Sequence, residues 1–190
     1  MRWPIVAVVG YLLIGLELTV RPALAIGPPD AATIAPSFII PFLVFVAMSA
    51  PVVPTLWVAL LMGLAVDIRS PRDGGTLLVV GPYALGYMAG VYLVVTMRGL
   101  MFRRNPLSVM FLSMLASLLA ELIVVAFFSI RGIYSVAADF SAGRELLHRM
   151  LSSLYTALTT AWILALMFLP MTSMFGFQEQ HARRFAGRRT

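Results

Sequence analysis

Three acidic residues lie within or at the end of long apolar blocks of the chain: Glu17, Asp67 and Glu121. An ionisable group inside a membrane span is costly and usually faces a bundle interior or water. Counted from the start of its block at 1.5 Å per residue, each carboxylate lies roughly 20 Å along its helix. The spacing therefore predicts three carboxylates at a similar height, towards the outer side of a membrane.

The three acidic positions differ in the length of apolar chain on their C-terminal side. We interpret Glu17 and Asp67 as snorkelling to the nearby interface, with Glu17 paired to Arg21 one helical turn later. Apolar residues continue for more than two turns after Glu121. We therefore expect Glu121 to make a polar contact inside the bundle or with a partner protein.

Motifs typical of catalysis are absent from the sequence. The chain has no Gly-x-Ser-x-Gly elbow, no His-Glu-x-x-His pair and no cysteine, and His148 and His181 lie outside the apolar blocks. Asp67 with Asp73 or Glu121 could imitate a carboxylate dyad, which needs both groups within reach of one water. We predict that the protein is not an enzyme and that it has no cofactor and no metal site.

Small and polar residues recur at intervals of four, which places them on single helix faces. The three faces are Ser113, Ser117 and Glu121; Ala59, Gly63 and Asp67; and Pro82, Gly86 and Gly90. Small residues let helix backbones approach closely in membranes. We interpret these faces as packing within the chain's own bundle, with docking of another subunit as the alternative.

Composition identifies the environment in which these residues act. Of 190 residues, 61% are hydrophobic and 12% are charged, against about 45–50% apolar residues in typical soluble domains. The net charge of +6 comes from arginine alone, because the chain has no lysine. The arginines lie between apolar blocks and in the tail, a pattern typical of membrane orientation and not of nucleic-acid binding.

The apolar blocks predict an all-α integral membrane protein with about six transmembrane helices in one domain, residues 1–176, and a basic cytoplasmic tail, residues 177–190. The predicted spans are Trp3–Val20, Ile34–Ala50, Pro54–Val66, Thr76–Met97 with a bend near Gly81-Pro82, Pro106–Ile130 and Leu151–Met174. An interfacial helix is expected from Ala142 onward. The first block also looks like a signal peptide ending at Ala23-Leu24-Ala25, but we favour an uncleaved helix.

Orientation is indicated by the arginines. With the N-terminus inside, eight arginines lie on the inner side and six on the outer side, which is the positive-inside sign. Both termini are therefore predicted to be cytoplasmic. The tail, with Arg183, Arg184, Arg188 and Arg189, is expected to meet anionic lipid headgroups, with contact to a cytoplasmic filament as the alternative.

Several motifs together resemble a known family. They are Ala35-Pro36, Ala50-Pro51, Gly63-Leu64-Ala65-Val66-Asp67, Gly74-Gly75-Thr76-Leu77 and Ser117-Leu118-Leu119-Ala120-Glu121-Leu122-Ile123. This succession resembles the rod shape-determining protein MreD family, with its proline joint, Gly-x-x-x-Asp helix end and acidic fifth span. The resemblance covers roughly residues 34 to 130. The charged loop after Asp67 and the long connector from Arg131 to Arg149 depart from that pattern.

The resemblance implies a non-enzymatic subunit of the cell-elongation machinery in the bacterial inner membrane, supporting peptidoglycan synthesis and cell shape. The implied partners are the bitopic protein MreC, the actin-like MreB, and the glycosyltransferase RodA with its transpeptidase. It also implies a fold similar to the membrane substrate-binding subunits of energy-coupling-factor transporters.

That likeness of fold leaves a second functional hypothesis, the capture of a vitamin or similar small molecule for transport. It predicts a pocket of roughly 300 Å³ or more, open to the outer face. Its lining would be polar or aromatic, from groups such as Glu121, Tyr87, Tyr92 and Trp57.

Overall fold

A computed structural model describes residues 2–27, 34–69, 80–100, 105–134 and 142–168, together with Pro170 and Phe175. Within these residues the chain is helical, and its only extended pairing is an isolated antiparallel bridge between Ile26 and Ile34. The all-α prediction therefore holds for the part of the chain that the structure describes. The predicted basic tail and most of the loop after Asp67 lie outside it.

The described chain forms seven α-helices and one π-helical turn. The helices are α1 (Trp3–Thr19), α2 (Ile39–Ser49), α3 (Val52–Arg69), α4 (Pro82–Met97), α5 (Pro106–Tyr134), α6 (Ala142–Thr156) and α7 (Trp162–Phe168). The π-helical turn, Ala157–Ala161, joins α6 to α7, so that 142–168 is one continuous helical segment. Two stretches, Pro106–Ile130 and Leu146–Phe168, are long and apolar enough to cross a membrane, whereas α1 to α4 are apolar but shorter.

Helix α2 occupies the centre of the protein. Every residue from Ile39 to Met48 is buried, and a helix that is apolar all round is typical of a buried position. The predicted span Ile34–Ala50 is wrong in its first part, because the helix begins only at Ile39. Pro36 disfavours helical dihedrals at Ala35, and the backbone before α2 is bonded by side chains instead.

Two other predicted boundaries are also corrected. Helix α4 begins at Pro82, since Gly81 has a φ of 130° and Pro82 is suited to a first helical position. The first residues of the predicted fourth span, 76–79, lie outside the described part of the chain. The sixth span does not start at Leu151. The apolar stretch already begins at Leu146 within α6, without a break from the predicted interfacial helix.

The structure places the glycines of the predicted faces at close helix contacts within the chain. A Cβ atom on Gly86 would lie 2.8 Å from the carbonyl oxygen of Ala120, and one on Gly90 would lie 2.7 Å from that of Ala116. Both contacts join α4 to α5. A Cβ on Gly63 would lie 2.7 Å from the backbone nitrogen of Ala84, which brings α3 against the start of α4.

We expect Gly90→Ala to lower the free energy of unfolding by about 1–3 kcal/mol, because the added carbon would force α4 and α5 apart. Its control is Gly15→Ala, where a Cβ would meet open space. That change is expected to be neutral or to stabilise by up to about 1 kcal/mol through helix propensity. Thermal unfolding in detergent compares the two variants, and equal melting temperatures would contradict the contact.

Candidate functional site

A small polar cavity lies among α1, the segment before α2, α4, α5 and α6. Its lining residues are Glu17, Arg21, Ala35, Ser37, Ile40, Tyr83, Tyr87, Ser117, Glu121, Ser152, Ser153 and Thr156. Its volume is about 20 Å³, which is room for about one water molecule. Two of the three acidic residues, Glu17 and Glu121, therefore share one site, as their predicted common height suggested.

Glu17 is bonded on both of its carboxylate oxygens. Its Oε2 accepts a hydrogen bond of 2.7 Å from the backbone N–H of Phe38, the residue before α2. Its Oε1 lies 3.2 Å from an Nη1 of Arg21, which confirms the predicted pair. Glu17 is only 3% exposed, so the snorkelling interpretation is wrong. The carboxylate instead satisfies a donor at the N-terminal end of α2, where negative charge is favoured.

Asp67 performs the same task for α4. It accepts hydrogen bonds from the backbone N–H groups of Gly81 at 2.9 Å, Tyr83 at 3.0 Å and Ala84 at 3.1 Å. These donors have no partner within the first turn of a helix. Asp67 is 2% exposed, so snorkelling is wrong here as well. It does not line the polar cavity, but it fixes Tyr83, which does.

Glu121 is held by an arginine that the sequence pattern assigns to the connector outside the spans. The Nη1 of Arg149, on α6, is bonded to Glu121 and also donates a 3.0 Å hydrogen bond to the hydroxyl of Tyr83. Arg149 is buried. Of the two contacts expected for Glu121, the structure therefore shows the internal one. The missed signal was a polar stripe at helical spacing, formed by Arg149, Ser153, Thr156 and Thr160.

The serines of the predicted α5 face lie at two different places. Ser117 donates a 2.8 Å hydrogen bond to the hydroxyl of Ser153 beside the cavity. Ser113 is fully buried one turn away, outside the cavity lining. The hydroxyls of Ser113 and Ser37 have no hydrogen-bond partner in the described part of the chain. Ser37 lines the cavity, so its hydroxyl would be available to a water molecule there.

Threonines on the last helical segment hold the irregular backbone that precedes α2. The backbone N–H of Ser37 donates to the hydroxyl of Thr156 at 2.9 Å. The carbonyl of Ser37 accepts from the hydroxyl of Thr160 at 2.7 Å. Thr160 lies in the π-helical turn, a type of irregularity that often occurs at functional sites. Side chains thus replace the ladder bonds that this backbone lacks.

Each acidic side chain therefore connects its own helix to a later one. Glu17 of α1 bonds the start of α2, Asp67 of α3 bonds the start of α4, and Glu121 of α5 bonds Arg149 in the middle of α6. Donors of the chain itself engage all three carboxylates. The described residues contain no group of three or more His, Asp or Glu side chains placed to hold a metal ion. The arrangement can fix helix positions and shield charge.

Comparison with protein-family models, with curated proteins and with solved structures finds no match to this chain.

Proposed function

We propose that this protein is a non-enzymatic, multi-pass scaffold of the bacterial inner membrane, similar to MreD. It would bind an MreC-like bitopic protein and support peptidoglycan synthesis by the elongation complex. MreB, RodA and its transpeptidase would be further members of that assembly. Both termini would be cytoplasmic. The sequence resemblance supplies this assignment, and the lengths of the helices and the largely filled interior support it.

The helix lengths are compatible with six crossings. The 17 residues of α1 and the 16 of α4 extend roughly 24–26 Å at 1.5 Å per residue, near the ~30 Å of a hydrocarbon core. Helix α2 has 11 residues and would reach only about 16 Å. The four irregular residues before it add roughly 13 Å. Irregular backbone is tolerated at membrane depth when it is buried in protein, as it is here.

The observation that carries the proposal is the largely filled polar interior. A site for a small molecule normally measures about 300–1,000 Å³, whereas this cavity measures about 20 Å³. The motif residues Gly63, Asp67 and Glu121 all make contacts within the chain. A largely filled interior of this kind supports a protein that works through its outer surfaces.

The alternative, a substrate-binding subunit of a vitamin transporter, is less well supported. Tyr87 and Glu121 line only the small polar cavity, and Trp57 and Tyr92 are more than half exposed and lie outside it. A larger groove exists between α1 and α7, but its walls expose only apolar atoms. It lacks the few placed polar groups that orient a vitamin-like ligand.

Affinity purification of the tagged protein from its native membrane, in mild detergent, tests the proposal. We expect a single-span protein with a large periplasmic domain to come with it, together with wall-synthesis enzymes. A detergent-matched purification of an unrelated six-span protein is the control. Recovery of an ATPase module and a bound small molecule instead would replace the scaffold with the transporter.

Glu121 is the first variant for the same experiment, and we expect Glu121→Ala to reduce co-purification of the partner. Because this change also leaves Arg149 without its carboxylate, the recovered partner must be divided by the amount of folded protein. The double variant Glu121→Met with Arg149→Met removes both charges and shows whether the loss of partner comes from the unpaired Arg149 or from the missing carboxylate. Partner recovery that stays at the wild-type level in folded Glu121→Ala would exclude Glu121 from partner binding.

A further inference from the structure

One hydroxyl group in the wall of the polar cavity has unused hydrogen-bonding capacity. Ser37 lines the cavity and is 9% exposed, and its Oγ is buried without a hydrogen-bond partner in the described part of the chain. Its backbone is held on both sides, since the N–H is bonded to Thr156 and the carbonyl to Thr160. A buried hydroxyl without a partner is costly. Where protein groups supply none, a bound water is the usual partner.

Other hydroxyl groups of the cavity wall supply further donors and acceptors. Tyr83 accepts a hydrogen bond from Arg149, so its own O–H proton remains to be donated. Ser117 donates to Ser153, which leaves lone pairs on the Ser117 oxygen. Ser37 and Tyr83 can therefore donate to a ligand in the cavity, and Ser117 can accept from it. About three such bonds are typical of a buried water molecule.

The size and charge of the cavity limit what it can hold. Its volume of about 20 Å³ exceeds the roughly 10–15 Å³ that one buried water needs on the same measure, and it leaves no room for a metabolite of several heavy atoms. Glu17 is paired with Arg21. Glu121 is paired with Arg149. The two pairs balance in charge, so a further ion would bring uncompensated charge into a largely buried site. A neutral ligand is favoured.

We propose that the polar cavity binds one ordered water molecule, which bonds the hydroxyl of Ser37 and joins the two ion pairs into one network. The water belongs to the contacts that hold α1 and the backbone before α2 against α4, α5 and α6. Arg21 lines the cavity, and its side chain is 42% exposed, so the water exchanges with the surroundings past Arg21. The proposal concerns the interior of the protein and does not rest on the proposed function.

Two serines with unpartnered hydroxyls provide a matched test. Ser37→Ala should raise the ratio of unfolded to folded protein roughly fivefold at a fixed concentration of sodium dodecyl sulfate, as expected for one lost hydrogen bond. Ser113→Ala is the control, because the Oγ of Ser113 is also buried without a partner in the described chain but lies outside the cavity. That change should leave the ratio unchanged or lower it, since no bond is lost. Equal effects of the two changes would overturn the proposal.

Radiolytic footprinting of the purified full chain detects the water in the unaltered protein. A short X-ray exposure converts water, including bound water, into hydroxyl radicals that oxidise adjacent side chains. Tyr87 lines the cavity and is 5% exposed, whereas Met48 is 3% exposed and does not line it. Although methionine is intrinsically the more reactive of the two, we expect Tyr87 to be oxidised faster. Protection of both side chains would show that the cavity is dry and would overturn the proposal.

A change of salt distinguishes a water from a bound cation. The unfolding midpoint in sodium dodecyl sulfate is compared in sodium chloride and in choline chloride of the same concentration. We expect the same midpoint in both, because the cavity takes a neutral ligand. A midpoint raised by added sodium chloride alone would replace the water with a sodium ion and overturn the proposal. Neither that outcome nor a dry cavity would affect the scaffold, which is tested by co-purification.

Discussion

Replacing Arg149 by methionine is expected to lower the free energy of unfolding by about 3–5 kcal/mol, because the change leaves a buried carboxylate unpaired. Arg149 and Glu121 form an ion pair whose side chains are only 10% and 16% exposed. Arg149 also donates to the hydroxyl of Tyr83. One substitution therefore removes the hydrogen-bond partner of Tyr83 on α4 and of Glu121 on α5. Unfolding by titration with sodium dodecyl sulfate, followed by tryptophan fluorescence, measures the loss.

The matched comparison is a double-mutant cycle with Glu121→Met. Removing both charges should recover most of the loss, because replacing a buried pair by apolar residues of similar volume is often neutral or stabilising. The interaction energy from the cycle should therefore be large and favourable. Additive losses in the double variant would show that Glu121 and Arg149 do not depend on each other.

We expect Asp67→Ala to cost about 3–4 kcal/mol of stability, since it removes the acceptor of three backbone N–H groups that have no helical partner. Asp67→Asn keeps the size and one acceptor oxygen but turns an amide towards backbone donors. Its loss should be intermediate. The same detergent titration ranks the three proteins.

Ile68→Ala is the control for Asp67, because Ile68 is adjacent on α3 and 61% exposed. Its effect should stay within about 0.5 kcal/mol, as is usual for surface positions. If Asp67→Ala were no more harmful than Ile68→Ala, the start of α4 would not depend on the carboxylate. Hydrogen exchange at the N–H groups of Tyr83 and Ala84 would locate the loss, since these amides should exchange faster in the variant.

The unbroken apolar blocks were predicted well from the sequence. The predicted Trp3–Val20 and Pro106–Ile130 differ from α1 and α5 by only a few residues at their C-terminal ends. In such blocks the apolar residues alone determine where helix can form. Predicted helix ends were wrong where glycine and proline, and not the apolar residues, determine the backbone conformation. Val80 and Gly81 belong to the predicted fourth span, but α4 starts at Pro82, because Gly81 has a positive φ.

The polar site was predicted only in part, because its bonds join residues far apart in sequence. The common height of Glu17 and Glu121 comes from helix rise, which depends on sequence position alone. Their burial depends on which backbone lies opposite, and a single sequence does not contain that information. Snorkelling was wrong for Asp67 because three N–H donors 14 to 17 residues later lie beside it. Arg149 was missed because a charged residue near a predicted connector resembles a loop residue.

The buried second helix has a consequence for biosynthesis. Its N-terminal end needs Glu17, which precedes it, but its last carbonyls accept hydrogen bonds from Arg98, 48 and 51 residues later. Ser37 is bonded to threonines 119 and 123 residues further on. The chain is synthesised from its N-terminus, so α2 is made early. Arg98 and the two threonines, which bond α2 and the backbone before it, are made later. Until residues 142–168 are inserted, the backbone just before α2 lacks these hydroxyl partners, so the last helical segment of the described chain closes the centre of the protein.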